Sequence, residues 1–311
     1  MNDEITAPFD SEFSPEHFPL IDELDHEILM HRDAHFGGQF SFMLDYYKQE
    51  RKGVQPEFSR SRIEKLALLE EQLKQNLAAL FLTAQEMQKV ADARAAYQKL
   101  RSIYAVNSPK NIHPHLIADL ILSEEEEAEK EINAIVSEKD KIVPTLIELL
   151  RSEEFYDPLF PGYGKASAHV VKCLEQIGDK RAIISLFEAI GQKDFFVDDL
   201  IIKALKAINA PAKTFLLNVL KSKPITEDNE KAAIALLAFK EEEEEVANAC
   251  FELLQQEDVL KDPCLPTYLV LVCTGLQDPI KKQMMKVMSL SAKLPAALRE
   301  DIKQVMKEWK A

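Results

Sequence analysis

Three histidines and their acidic neighbours are the residues of this chain best placed to hold a metal. Glu27, His31 and His35 stand at i, i+4 and i+8 of a helical register, so adjacent members share a face, and neutral imidazole with carboxylate suits Zn or Fe. Glu23-Leu-Asp-His26 also matches one half of the paired Glu-x-x-His elements of a di-iron bundle, but the chain has no second copy. His31 and His35 continue the apolar stripe Ile21, Leu24, Ile28, which places them equally well at a helix interface. A metal-dependent enzyme or accessory protein using Glu27, His31 and His35 is therefore the alternative reading, and no cofactor is expected under the main one.

Other chemistries lack their signatures. There is no Gly-x-Ser-x-Gly elbow, P-loop or Gly-x-Gly-x-x-Gly, and no cysteine stands near a histidine in a nucleophile motif. The acidic runs Glu124–Glu127 and Glu241–Glu245 lack the alternating ligands and turn glycine of a calcium loop. Each precedes a predicted helix, where negative charge meets the positive end of the peptide dipoles.

Recognition residues are easier to find. The stretch Glu154-Phe-Tyr-Asp-Pro-Leu-Phe-Pro-Gly-Tyr-Gly164 carries four aromatics, and Gly191-Gln-Lys-Asp-Phe-Phe-Val197 adds two more. Phe155, Tyr156, Asp157, Phe160, Tyr163, Phe195 and Phe196 are the expected partner-binding residues. They would form an apolar patch with an acidic rim, suited to a peptide or helix bearing apolar and basic residues.

The elements that must position these residues are helical. Only 8 Gly occur in 311 residues, and Leu, Ala, Glu and Lys dominate. Residues 1–15 read as a flexible tail and 16–108 as a helical N-terminal module. Within that module, Ile21, Leu24 and Ile28 mark one helix and Phe36, Phe40 and Met43 another, separated near Gly37-Gly38. Ile63, Leu66, Leu73, Leu77 and Leu80 predict a long helix over 60–83, and Thr83-Ala-Gln-Glu86 is a capping box for the next. The Ser108-Pro109 and His113-Pro114 breaks set off residues 109–311.

That C-terminal segment repeats. Helices beginning at Ile142, Ala182, Ala212, Val246 and Ile280 are spaced 40, 30, 34 and 34 residues apart. Such a period marks stacked helix pairs. In the unit from Val170 to Ile183, Leu174, Ile177, Gly178, Asp179, Arg181 and Ala182 follow the pattern Ala-x-x-x-Leu-x-x-Ile-Gly-Asp-x-Arg-Ala-Ile. Gly178 is expected to end one helix with a positive φ, and Asp179 to cap the next. These residues resemble the HEAT-like repeats of the phycobilin-lyase type, and Leu205 to Leu217 match in part, with Asn209-Ala-Pro-Ala in place of Gly-Asp. The resemblance implies an all-α protein: an α-solenoid of about five HEAT-like helix pairs, closed by a C-terminal capping helix and serving a binding role.

Composition narrows that role. The formal net charge is −15, distributed as −9 over residues 1–59, +4 over 60–110, −14 over 111–275 and +4 over 276–311. An acidic repeat region repels phosphate backbones, which disfavours nucleic acid, and the repeated His-Glu pairs of HEAT-like hydroxylases are missing. The four Cys show no paired spacing and read as small buried hydrophobes in a reducing compartment. No apolar run reaches the roughly 20 residues needed to span a bilayer, and a cytoplasmic location is expected. The expected function is a non-enzymatic scaffold, adaptor or chaperone-like assembly factor that presents a helical-repeat surface to a protein partner.

Overall fold

The computed structural model describes residues 21–48, 55–105, 111–123, 125, 127–192, 195–240 and 244–309. Among these the secondary structure is helical throughout, with no strand. Backbone packing divides the chain into two units, Met1–Ala95 and Ala96–Ala311. The division falls inside a helix, and the expected boundary near residue 108 lies outside the described residues. Leu100 is buried with the core of the second unit, and Ile103 packs against it.

The first unit contains α1 (Glu23–His35), α2 (Phe40–Tyr46), α3 (Arg60–Leu73), α4 (Leu77–Phe81) and the start of α5 (Ala84–Ile103). Asp22 caps α1 by accepting from the Asp25 amide at 3.0 Å. The expected Thr83–Glu86 box is present: Glu86 accepts from the Thr83 amide at 2.7 Å, and the Thr83 hydroxyl accepts from the Glu86 amide at 3.2 Å. The helix expected over 60–83, however, is two helices. Lys74 adopts the left-handed conformation, and Asn76 caps α4 by accepting from the Ala78 amide at 2.8 Å. Leu77 remains in the core, whereas Leu80 turns to solvent.

A fully buried Arg32 holds this break in place. Its guanidinium pairs with Glu70 of α3, donates to Asn76 Oδ1 at 2.9 Å and lies 4.6 Å from the centre of the Phe40 ring. Burying a guanidinium is costly unless its N–H groups are matched, and three elements supply the partners.

The second unit continues with α6 (His113–Leu122), α7 (Glu129–Ser137), α8 (Val143–Leu150), α9 (Ala166–Ile177), α10 (Ile183–Ala189), α11 (Phe195–Ile208), α12 (Ala210–Leu220), α13 (Glu227–Leu236), α14 (Glu244–Leu253), α15 (Glu257–Leu260), α16 (Leu265–Val272), α17 (Pro279–Ser289) and α18 (Ala296–Glu308). α7 packs on α9 and α9 on α11, while α13 packs on α16 and α16 on α18. The intervening α8, α10, α12, α14 and α17 each pack against a member of that series. One continuous apolar core runs from Leu100 to Val305.

The turns follow local chemistry. Gly178 ends α9 at φ +66°, with its amide donating to the Leu174 carbonyl at 2.9 Å, and Asp179 accepts from the Arg181 amide at 2.8 Å. Asn209, in the partly matching repeat from Leu205 to Leu217, has the same φ of +66° but a ψ of −126°, outside the left-handed helical conformation of Gly178. After α12, buried Asn229 donates to the carbonyls of Val219 and Leu220 at 3.0 Å each, and so satisfies the helix's last acceptors. At the C-terminus, Trp309 Nε1 donates to the carbonyls of Cys273 and Thr274, tying the end of α18 to the turn after α16.

Candidate partner-binding surfaces

The three residues of the metal alternative share α1 but not one environment. His31 is buried with its ring edge-on to Phe58 at 4.9 Å between centroids, His35 lies 5.6 Å from His31, and Glu27 is exposed. The helix stripe that brings the imidazoles together also turns them toward the aromatic core. His26, one face away, instead contacts Glu86 Oε1 through Nδ1 at 3.0 Å. Glu86 is held below the usual carboxylate range first by the Thr83 amide and then by His26. Among the described residues, no three His, Cys, Asp or Glu side chains gather closely enough to hold a metal ion.

The aromatic stretch between α8 and α9 folds inward. Phe160 is only 7% exposed and Leu159 is buried beside it. Phe155 and Tyr156 are half-buried and pack against the core, with the Tyr156 hydroxyl donating to the Leu150 carbonyl at 2.8 Å. Burial pushes the Tyr156 phenol up to about 12. Asp157 accepts from the Leu159 amide at 2.9 Å, an interaction that shapes the turn, and Tyr163 is half-buried. Phe195 and Phe196 open α11, and their side chains lie outside the described residues, as do Glu124, Glu126 and Glu241 to Glu243 of the acidic runs. Of the described members, Glu127 pairs with Lys172 and Glu245 with Lys213, while Glu125 and Glu244 are exposed.

Three cysteines are buried as expected, but Cys264, at the start of α16, is exposed. Desolvation raises the thiols of Cys173 and Cys250 to about 12, and it also moves the Cys273 thiol well above its ordinary value, which suppresses the thiolate forms.

Among the described residues, exposed apolar side chains recur along α17. Asp278 caps this helix by accepting from the Ile280 amide at 2.7 Å, and Pro279 occupies its first turn, a position that needs no N–H. Met285 and Ser289 face the core. The opposite face carries Ile280 (71% exposed), Met284, Val287 (61%) and, just past the helix, Leu290 (74%). Their spacings of 4, 3 and 3 residues keep them on one side of a 3.6-residue helix. Read from sequence, the segment Ile280 to Met288 is the last helix of a repeat pair. The signal for an outward face was present, since apolar residues occupy both sides of α17, but periodicity does not say which side another helix covers.

Comparison with family models and with curated proteins gives no match for this chain.

Proposed function

We propose that the second unit is a HEAT-like α-solenoid that works as a non-enzymatic binding scaffold, and that α17 belongs to its partner-facing surface. Two features support the repeat reading: the 30-to-40-residue cadence and the packing of each helix on its near neighbours in the chain. The observation that carries the function is the exposed face of Ile280, Met284, Val287 and Leu290. Scattered apolar residues on a surface need no explanation, but four on one helix face form a contiguous patch of the sort that proteins cover with partners.

Site-specific photocrosslinking in the native cell tests this reading. A benzophenone side chain at position 287 should trap a discrete protein, whereas the same group at Gln176, exposed on α9, should not. Identical adducts from both positions, or none from position 287, would defeat the scaffold reading at this surface.

A further inference from the structure

We infer that the outward face of α17 docks an acidic amphipathic helix of a protein partner. This inference rests on the scaffold reading and adds the partner's chemistry to it. The face is a single apolar row on an 11-residue helix, roughly 16 Å long, so its natural complement is one partner helix of about three turns presenting anchors at i, i+4 and i+7. Met284 adds a flexible, polarizable side chain that adapts its shape to an incoming anchor.

Charge selects among such helices. The chain as a whole carries −15, yet residues 276–311 carry +4, and Lys281, Lys282, Lys286 and Lys293 all lie within or just beyond α17. Lys281 is engaged by Glu252 at 3.3 Å, and Lys282 lies 5.4 Å from the centre of the Trp309 ring. Lys286 and Lys293 are exposed, and neither forms a salt bridge among the described residues. Glutamates or aspartates flanking the partner's apolar row would meet these ammonium groups, gaining affinity and a faster encounter at low salt.

Two other occupants fit less well. A second copy of the same face would bring its own lysines against these, and one 11-residue helix supplies fewer than the ~20–30 residues per side of a stable interface. An anionic lipid surface is extended and faces the −15 chain over a wide area, whereas a short helix on α17 keeps its carboxylates within a Debye length (~10 Å) of the local lysines.

Fluorescence anisotropy with the full-length chain tests the assignment. The probe is a labelled, stapled helical peptide of about 12 residues, with leucines at i, i+4 and i+7 and glutamates flanking them. Its sibling carries lysines in place of the glutamates. The acidic peptide should bind with a micromolar-order Kd, at least about tenfold tighter than its sibling, and more weakly as salt rises. Val287→Asp should weaken it about tenfold or more, Val287→Ala by a smaller factor, and Lys286→Glu should narrow the difference between the siblings. The Val287 variants should keep the wild-type melting temperature, because the side chain is exposed. Equal binding of the siblings, or binding that Val287→Asp leaves unchanged, overturns the inference. So does cosedimentation with anionic phosphatidylserine vesicles, or self-association, that Val287→Asp abolishes while the acidic peptide fails to bind. A protein adduct at position 287 together with any of these outcomes would retain the scaffold and remove only the acidic-helix partner.

Discussion

Gly275 and Gly178 show how one residue type answers two different demands. A Cβ on Gly275 would lie 1.9 Å from the Lys240 carbonyl oxygen, so the backbone must move to admit any side chain. Gly178 has open space around it but sits at φ +66°, where an L-residue is strained. Gly275→Ala should therefore cost about 3 kcal/mol, and Gly178→Val about 1–2 kcal/mol, measured by urea unfolding of the two variants. Equal costs would mean that the close approach at Gly275 relaxes without strain. Phe160 is the second residue-scale case. Its burial predicts that Phe160→Ala lowers stability by about 3–4 kcal/mol, whereas an exposed anchor would leave the melting temperature nearly unchanged and impair only partner capture. Loss of capture at full stability would return Phe160 to the binding surface.

Between elements, the α9–α10 turn is governed by electrostatics as well as by glycine. The Arg181 guanidinium, and then the Arg181 amide, hold the Asp179 carboxyl below the usual carboxylate range, and Arg181 also donates to the Asp140 carbonyl at 2.6 Å. A carboxylate whose folded pKa is depressed stabilises the fold at pH above its unfolded value, near about 4, and that contribution disappears as pH falls through the folded pKa. The stability difference between wild type and Asp179→Asn should thus be present at pH 7 and shrink toward pH 3, read from urea midpoints at the two pH values. A difference that stays constant would show that Asp179 acts through geometry alone, as its Asn replacement can. The same logic of matched partners explains the division of the expected 60–83 helix: Arg32 needs both Glu70 and Asn76, and a straight helix through Lys74 would not present the observed cap.

Across the whole chain, the internal boundary has consequences for autonomous folding. The second unit begins at Ala96, and Leu100 from α5 is buried in its core. A fragment of residues 96–311 should unfold cooperatively, and trimming it to 111–311 should lower its melting temperature by several degrees, because both Leu100 and the packing of Ile103 are lost. Calorimetry of the two fragments distinguishes this from a boundary at 108, which requires equal melting temperatures. No described helix is long and apolar enough to cross a membrane.

The sequence by itself determined the local events. Periodicity made the chain helical, Thr83 and Glu86 capped α5, Gly37-Gly38 separated α1 from α2, and Gly178-Asp179 turned α9 into the segment leading to α10. These outcomes depend on residues within a few positions of one another, where backbone sterics and capping hydrogen bonds act. Tertiary structure decided which apolar residues found cover. Phe160 and Ile280 are both hydrophobic, yet one is buried and the other 71% exposed. Periodicity marks an apolar face without saying whether another helix lies against it. Phe160 follows a turn that folds back on the core, whereas α17 directs Met285 and Ser289 inward and leaves its second apolar row uncovered. The buried Arg32 was equally illegible, because its partners Glu70 and Asn76 lie 38 and 44 residues away and meet it only once α1, α3 and α4 are packed.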